Sequence, residues 1–367
     1  MNKKKCGIVT YHRAHNYGAL LQAYALKKSL QKLSLEPVFI DYQPESISRG
    51  YELYPQLPKE KSISAFIRYI KDFIHLILDY KRKKNRFIAF ETFIKKEINI
   101  HKPEGMFEYL FLGSDQIWNT SYTNGIDKHY YGIFDNLTAN NTISYAASMG
   151  TSNINSEDEY TFIKYLEGLD GIGVREEKLA NYISSISSLN PEITLDPTLL
   201  LSKSEWRSLK DSASIHVDEK PYLLIYEVHE HSLTQQIKEF ISKKLGLSIV
   251  SLSSRTDCYT NKNNITDASP NDFIKLFSNA SFVITTSFHG TVFSIINEVP
   301  FLTLKFNNDT DIRSESLLGQ VNLLERHIES IADIDNLPLE FSFEESNLLL
   351  EKYRKKSIDF LKRHIRG

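Results

Sequence analysis

Short apolar runs, each halted by a knot of polar residues, recur along the chain, and segments of helical periodicity lie between many of them. Residues 6–10 form the first run, and the loop after it ends in Asn16-Tyr17-Gly18. Residues 19–33 then carry apolar side chains at helical spacing, at Leu20, Ala23, Leu26, Leu30 and Leu33, before a second run at 37–41. Strand, loop, helix, strand in that order specifies an α/β fold with parallel sheets. Runs at 109–112, 142–147, 171–174 and 193–195 are the further expected strands of a first half. Runs at 222–226, 247–252, 281–286 and 300–304 repeat the logic, with expected helices at 232–245, at 270–278 and from about 291. The polar segment 202–220 divides the two halves, and 343–365 reads as a long amphipathic closing helix. Ligands of open parallel sheets bind at the carboxyl ends of the strands, so the polar knots are where a site is expected.

A chain of 367 residues is about two domains long. Lys and Arg total 44 against 46 Asp and Glu, a net charge of −2, which excludes a surface built throughout for nucleic acid. A hydrophobic share of 41% and a charged share of 25% exclude disorder, collagen and coiled coil as global descriptions. Two cysteines, Cys6 and Cys258, are too few for a disulfide framework and read as buried thiols of a reducing cytoplasm. The basic N-terminal residues lack a long apolar run and a small-residue cleavage site, so they read as the lead-in to a strand rather than a signal peptide. Residues 44–62 read as a loop, with Pro44, Pro55 and Pro58, and 63–98 as one or two amphipathic helices. The apolar part of that region, 66–78, is too short to span a bilayer and carries Arg68, Lys71, Asp72 and His75. The basic stretch Lys81-Arg82-Lys83-Lys84-Asn85-Arg86 is either a solvated helix face or a contact with an anionic membrane surface.

The densest chemistry lies at Thr285-Thr286-Ser287-Phe288-His289-Gly290-Thr291, where an apolar strand runs through a small-residue turn into a helix. Backbone N–H groups at a helix start attract anions, phosphate above all; Ser287 and Thr291 add hydroxyl donors, and Gly290 permits close backbone approach to a ligand. His289 is then either a general acid or base at a strand end or a histidine that caps the helix. Arg175 is either a two-pronged carboxylate or phosphate ligand or a surface arginine paired with Glu176 or Glu177. Arg313 presents the same choice. In Gly113-Ser114-Asp115-Gln116-Ile117-Trp118-Asn119, Asp115 and Gln116 suit sugar hydroxyls, and Trp118 is either a sugar-stacking platform or core. Asn16-Tyr17-Gly18 matches neither GxGxxG nor the P-loop, so neither a dinucleotide nor ATP is indicated. The other histidines show no metal-ligand spacing; His229-Glu230-His231 comes nearest.

Six pieces, in order, resemble the polysaccharide pyruvyl transferase family. They are the stretch from Asn16-Tyr17-Gly18 to Leu26, the 113–119 segment, Ser144-Tyr145-Ala146-Ala147-Ser148, Val174-Arg175-Glu176, Leu195-Asp196-Pro197-Thr198, and Ser287-Phe288-His289-Gly290-Thr291-Val292-Phe293-Ser294. The resemblance implies a GT-B-like architecture: two Rossmann-like domains with parallel sheets face a central cleft, and the closing helix crosses back to the first. The implied domains are 1–205 on the acceptor side, with a helical insertion at about 63–98, then 206–340 on the donor and phosphate side, and 341–367 as the closing helix. It further implies transfer of a pyruvyl group from phosphoenolpyruvate onto a sugar, giving a pyruvate ketal in cell-surface polysaccharide biosynthesis, with no metal and no cofactor beyond that co-substrate. His289 matches the family's proposed acid or base, and Arg175 the arginine that holds phosphoenolpyruvate. Ser287 stands where some members carry an arginine; Arg313 matches an arginine common in the branch that has serine there, and is expected to supply part of the missing charge. Ser287, Gly290, Thr291 and Arg313 thus join Arg175 on the donor side, while Asn16, Tyr17, Gly18, Asp115 and Gln116 are the expected acceptor residues. The expected acceptor is a nucleotide sugar, a lipid-linked oligosaccharide or a polysaccharide. The expected location is the cytoplasm, with peripheral contact at the inner membrane face. A nucleotide-sugar glycosyltransferase of the same fold and a non-catalytic carbohydrate-binding scaffold are the competing readings.

Overall fold

A computed structural model of the chain describes residues 4–366 apart from 59–61, 152–153, 218–219, 257–260, 262 and 336. Cys258 and the first three residues lie outside the described set; Cys6 is a buried free thiol.

Seven strands form the first sheet: β1 (Lys4–Val9), β2 (Leu35–Ile40), β3 (Ile100–His101), β4 (Gly105–Leu112), β5 (Leu137–Ala147), β6 (Gly171–Val174) and β7 (Glu192–Ile193), in the order β3-β2-β1-β4-β5-β6-β7. Five form the second: β8 (Tyr222–Glu227), β9 (Ser248–Ser253), β10 (Phe282–Thr285), β11 (Phe301–Leu304) and β12 (His327–Ile328), in the order β12-β11-β10-β8-β9. Every pairing between these strands is parallel. Parallel strands must be covered on both faces, and the central ones read accordingly as unbroken apolar runs: Leu110, Phe111 and Leu112 in β4 and Val283 and Ile284 in β10 are fully buried.

The covering helices are α1 (Tyr17–Lys32), α2 (Ile63–Leu78), α3 (Tyr80–Glu97), α4 (Ser156–Leu166), α5 (Glu177–Ile186), α6 (Thr234–Leu245), α7 (Pro270–Asn279), α8 (Phe288–Asn297), α9 (Ile312–Gln320) and α10 (Glu344–Arg366). Their ends follow local chemistry. Asn16 caps α1 by accepting the Ala19 N–H at 3.2 Å. Ser269 and Asp272 form a reciprocal capping box on α7, with Pro270 in the first turn. The 63–98 region resolves into α2 and α3, and the expected loop at 44–62 contains a short helical turn at Glu45–Ser48 and a 3₁₀ turn at Arg49–Tyr51.

One apolar cluster runs through both halves. Tyr17 of α1 stacks on Phe273 of α7 with centroids 4.8 Å apart, and Tyr24 and Phe293 both pack on Trp206. The helix α10 returns to the first sheet: Leu195 N–H donates to Ser357 Oγ at 2.9 Å, Arg354 Nε donates to Leu199 O at 2.7 Å, and Phe360 and Leu361 are buried beside Tyr145.

Candidate active site

The strand order of an open parallel sheet reverses where successive crossovers leave in opposite directions, and that is where a crevice opens. The reversals fall between β1 and β4 in one sheet and between β8 and β10 in the other. Both crevices contribute to one cleft of about 700 Å³. Asn16 enters it after β1, Asp115 and Gln116 after β4, His229 after β8, Ser287 and His289 after β10, and Arg313 from the start of α9. Two helix starts face this space. Asn16 stands at the head of α1, and Ser287, in extended conformation and with a hydroxyl that does not cap, at the head of α8. The first N–H groups of each helix have no partner within the helix, so both ends are positively polarised.

His289 is 7% exposed, and its ring is set from three sides. A Cβ on Gly18 would fall 2.0 Å from His289 Nδ1, so only glycine fits against the ring. Phe288 meets it edge-on at 5.1 Å. Nε2 is buried, without a hydrogen-bond partner, and lies 3.6 Å from Asp196 Oδ2, just beyond hydrogen-bond reach. Asp196 itself is fully fixed: Oδ1 accepts from Thr198 N at 2.9 Å and Thr198 Oγ1 at 2.5 Å, and Oδ2 lies 3.0 Å from Arg175 Nη2. Burial alone would push the Asp196 carboxyl up; Arg175 first, then His289 and Thr198, overrule it and hold the group well below the usual carboxylate range. A permanent carboxylate thus stands behind the histidine, placed to balance charge when the ring takes a proton.

Arg175 is 4% exposed and does not line the cleft. It pairs with Asp196 and donates to Ser114 Oγ, while its Nε and Nη1 are buried without acceptors. Both arginines lie near the Phe288 ring: the Arg175 guanidinium carbon is 5.1 Å from its centroid and the Arg313 carbon 5.5 Å. The cation at the cleft surface is therefore Arg313. With its side-chain oxygen turned toward Arg313, Gln116 accepts from Nη2 at 2.9 Å and Nη1 at 3.2 Å. Next to Arg175, Glu176 is buried; desolvation raises its pKa against the pull of Arg175, and Ser148 Oγ donates to it.

The remaining expected residues divide. Asn16, Asp115 and Ser287 are at the cleft surface. Asp115 sits at φ +81°, a conformation L-residues rarely adopt, pinned by its carbonyl accepting from Ile117 N and Ser148 N. Four more, besides Arg175, do not line the cleft. Tyr17 is in the core between the halves, its hydroxyl donating to Ala268 O at 2.9 Å and accepting from Arg86 Nη1 at 3.0 Å. Gly18 makes room for the His289 ring. Gly290 is packed on Thr285, whose Oγ1 would lie 2.1 Å from an added Cβ. Thr291 is buried, its hydroxyl bonded to Ser287 O at 3.2 Å and Thr303 Oγ1 at 2.6 Å. Trp118 is core as well: it is 2% exposed, its Nε1 donates to Tyr130 O at 3.1 Å, and it stacks on Tyr131. Arg86, in the basic stretch, is neither solvated nor free to touch a membrane. It is 8% exposed and donates to Thr266 O and Ser254 O, each at 2.9 Å, across the junction of the halves. Asp196 was not singled out from sequence, because Asp-Pro-Thr after a short run is also what a cap of a 3₁₀ turn requires, and here it is both.

Two parallel Rossmann-like sheets, a cleft between their strand ends and a helix returning to the first sheet define a GT-B-like protein whose cleft pairs a histidine with a cation. The model of the polysaccharide pyruvyl transferase family matches residues 16–308, and the chain belongs to that family. No curated protein matches the chain. Among solved structures it is similar to the UDP-GlcNAc 2-epimerase of Methanocaldococcus jannaschii, at 13% identity over 95% of this chain and 92% of that one, with a TM-score of 0.45. It is also similar to the UDP-N-acetylglucosamine 2-epimerase of Rickettsia bellii, at 11% identity over 99% of both chains and a TM-score of 0.40. MurG of Acinetobacter baumannii matches at 9% identity over 98% of this chain and 99% of that one, with a TM-score of 0.41.

Proposed function

We propose that the protein transfers the pyruvyl group of phosphoenolpyruvate onto two hydroxyls of a sugar, forming a pyruvate ketal in polysaccharide biosynthesis. The observation that carries this is the convergence on one cleft of His289, the Arg313 guanidinium and the starts of α1 and α8. Phosphoenolpyruvate presents a phosphate and a carboxylate, which suit a cation and positively polarised helix ends. The reaction adds a proton to the methylene carbon, making an oxocarbenium-like centre at the carbon that carries the phosphate. One sugar hydroxyl attacks that carbon and gives up its proton, inorganic phosphate departs, and the second hydroxyl closes the ketal and gives up its own. A group that both gives and takes protons is needed beside this carbon, and His289, backed by the Asp196 carboxylate, is assigned that role. Arg313, held by Gln116, is assigned to the donor's anionic groups. Arg175 is assigned to fixing Asp196 rather than to touching the donor.

Calorimetric titration with phosphoenolpyruvate, with UDP and CMP as controls, tests the reading without knowledge of the acceptor. Wild-type protein is expected to bind phosphoenolpyruvate, and Arg313→Ala to bind it at least about tenfold more weakly, as loss of a charge-assisted contact costs about 1.5–3 kcal/mol. Nucleotide binding with no response to phosphoenolpyruvate would turn the assignment toward a glycosyltransferase.

A further inference from the structure

The helix α2 leaves its apolar side uncovered. Of its 16 residues only Leu76 is buried. Ile63, Phe66, Ile67, Ile70, Phe73, Ile74, Ile77 and Leu78 are each at least 43% exposed, and at 100° per residue they share one face. Tyr80 continues the surface, and its hydroxyl lies 3.4 Å from that of Tyr54, itself 57% exposed. Single exposed apolar residues are ordinary, but a contiguous stripe along a whole helix marks a surface that something else covers.

Charge identifies what covers it. Residues 63–88 carry seven Lys and Arg against two Asp and Glu, in a chain whose net charge is −2. Arg86 is buried and Arg82 pairs with Asp79 at 3.1 Å, whereas Arg68, Lys71, Lys81 and Lys84 are exposed. Lys71 borders the apolar face, Arg68 lies further round toward Asp72, and Lys81 and Lys84 follow at the start of α3. A second copy docked through the same helix would set these cations against their own equivalents. Anionic headgroups would instead pair with the cations while the Phe and Ile side chains enter the acyl boundary. Among the described residues no helix is long and apolar enough to cross a membrane, so the geometry is one of lying in the surface.

We infer that α2 is an in-plane docking helix for an anionic bilayer. The inference does not depend on the reaction proposed above. Asp72, His75 and Leu76, on its inner side, wall a lobe of about 710 Å³ that shares Asn16, Tyr51 and Val228 with the cleft. Docking therefore sets the mouth of that lobe beside the headgroups.

Flotation of the full chain with vesicles of phosphatidylcholine, with and without phosphatidylglycerol, tests this, alongside ultracentrifugation in buffer. Wild-type protein is expected to float with the phosphatidylglycerol vesicles and to be monomeric in buffer. A triple variant, Phe66→Ser with Ile70→Ser and Ile74→Ser, alters exposed positions only, so its circular dichroism is expected to match wild type while its partitioning falls more than about tenfold. Lys71→Glu combined with Lys81→Glu and Lys84→Glu is expected to lose binding to a similar degree. The inference is overturned if wild type stays behind at low salt or if the triple serine variant floats as wild type does. A wild-type dimer that the serine variant dissolves, with no vesicle binding, would overturn it too.

Discussion

At the scale of single residues, the site depends on residues that do not line the cleft. Gly18→Ala would place a methyl group where His289 Nδ1 stands, and the ring would have to move. Turnover is expected to fall by about 10²–10⁴, the range for removing a proton-transfer group, as for His289→Ala. The phosphoenolpyruvate affinity proposed for Arg313 is expected to change far less, so comparing kcat with calorimetric affinity checks the proposed division of labour. His12 supplies a pH signature outside the cleft. It is 1% exposed, with Nδ1 2.9 Å from Thr10 O, and burial holds its pKa down at about 4 from 6.5. As pH falls below 6.5 the unfolded chain takes up this proton first, so stability declines between pH 6.5 and 4, on the order of 3 kcal/mol from this group. His12→Phe is expected to flatten that decline in urea-unfolding free energies measured across the same window; an unchanged slope would reject the assignment. The motif residues themselves were legible in the sequence, but which of them face ligand was not. Tyr17, Gly18, Gly290 and Thr291 lie within matching pieces yet are packed behind the cleft surface, and spacing along a chain does not distinguish the two.

At the scale of elements, strands were the most legible because parallel strands bury both faces and leave unbroken apolar runs. β8 was expected at 222–226 and is Tyr222–Glu227, and the expected helix at 270–278 is Pro270–Asn279. The edge strands β3 and β12 have only two residues each and carry no periodicity to read. α9 was missed because the polar residues before it look like loop; Asn308 and Asp311 form a capping box on a 3₁₀ turn that delivers Arg313 to the cleft. In α2 the periodicity was visible, but pattern gives an apolar face without saying whether anything within the chain covers it. The basic run at 81–86 was legible only in part: Lys81 and Lys84 are exposed as composition suggests, yet Arg86 points inward between the halves.

At the scale of the whole molecule, the halves are joined by more than a linker. Tyr17, Phe273 and Tyr226 share a cluster, and Arg86 ties α3 to Thr266 and Ser254 beyond it. An apolar junction with buried hydrogen bonds predicts one cooperative unfolding transition rather than two. Arg86→Met keeps much of the packing but strands buried carbonyls, and is expected to cost about 3 kcal/mol and lower the midpoint by several degrees. Calorimetry that resolved two transitions in the wild-type protein would contradict the shared core. The return of α10 has a further consequence for how the protein is made. Residues 344–366 emerge from the ribosome after both sheets, yet they cover the face of the first sheet around Tyr145 and satisfy the Leu195 N–H. The half that is synthesised first therefore keeps an apolar face open through translation of the entire second half, and its completion waits on a segment that begins about 150 residues after β7.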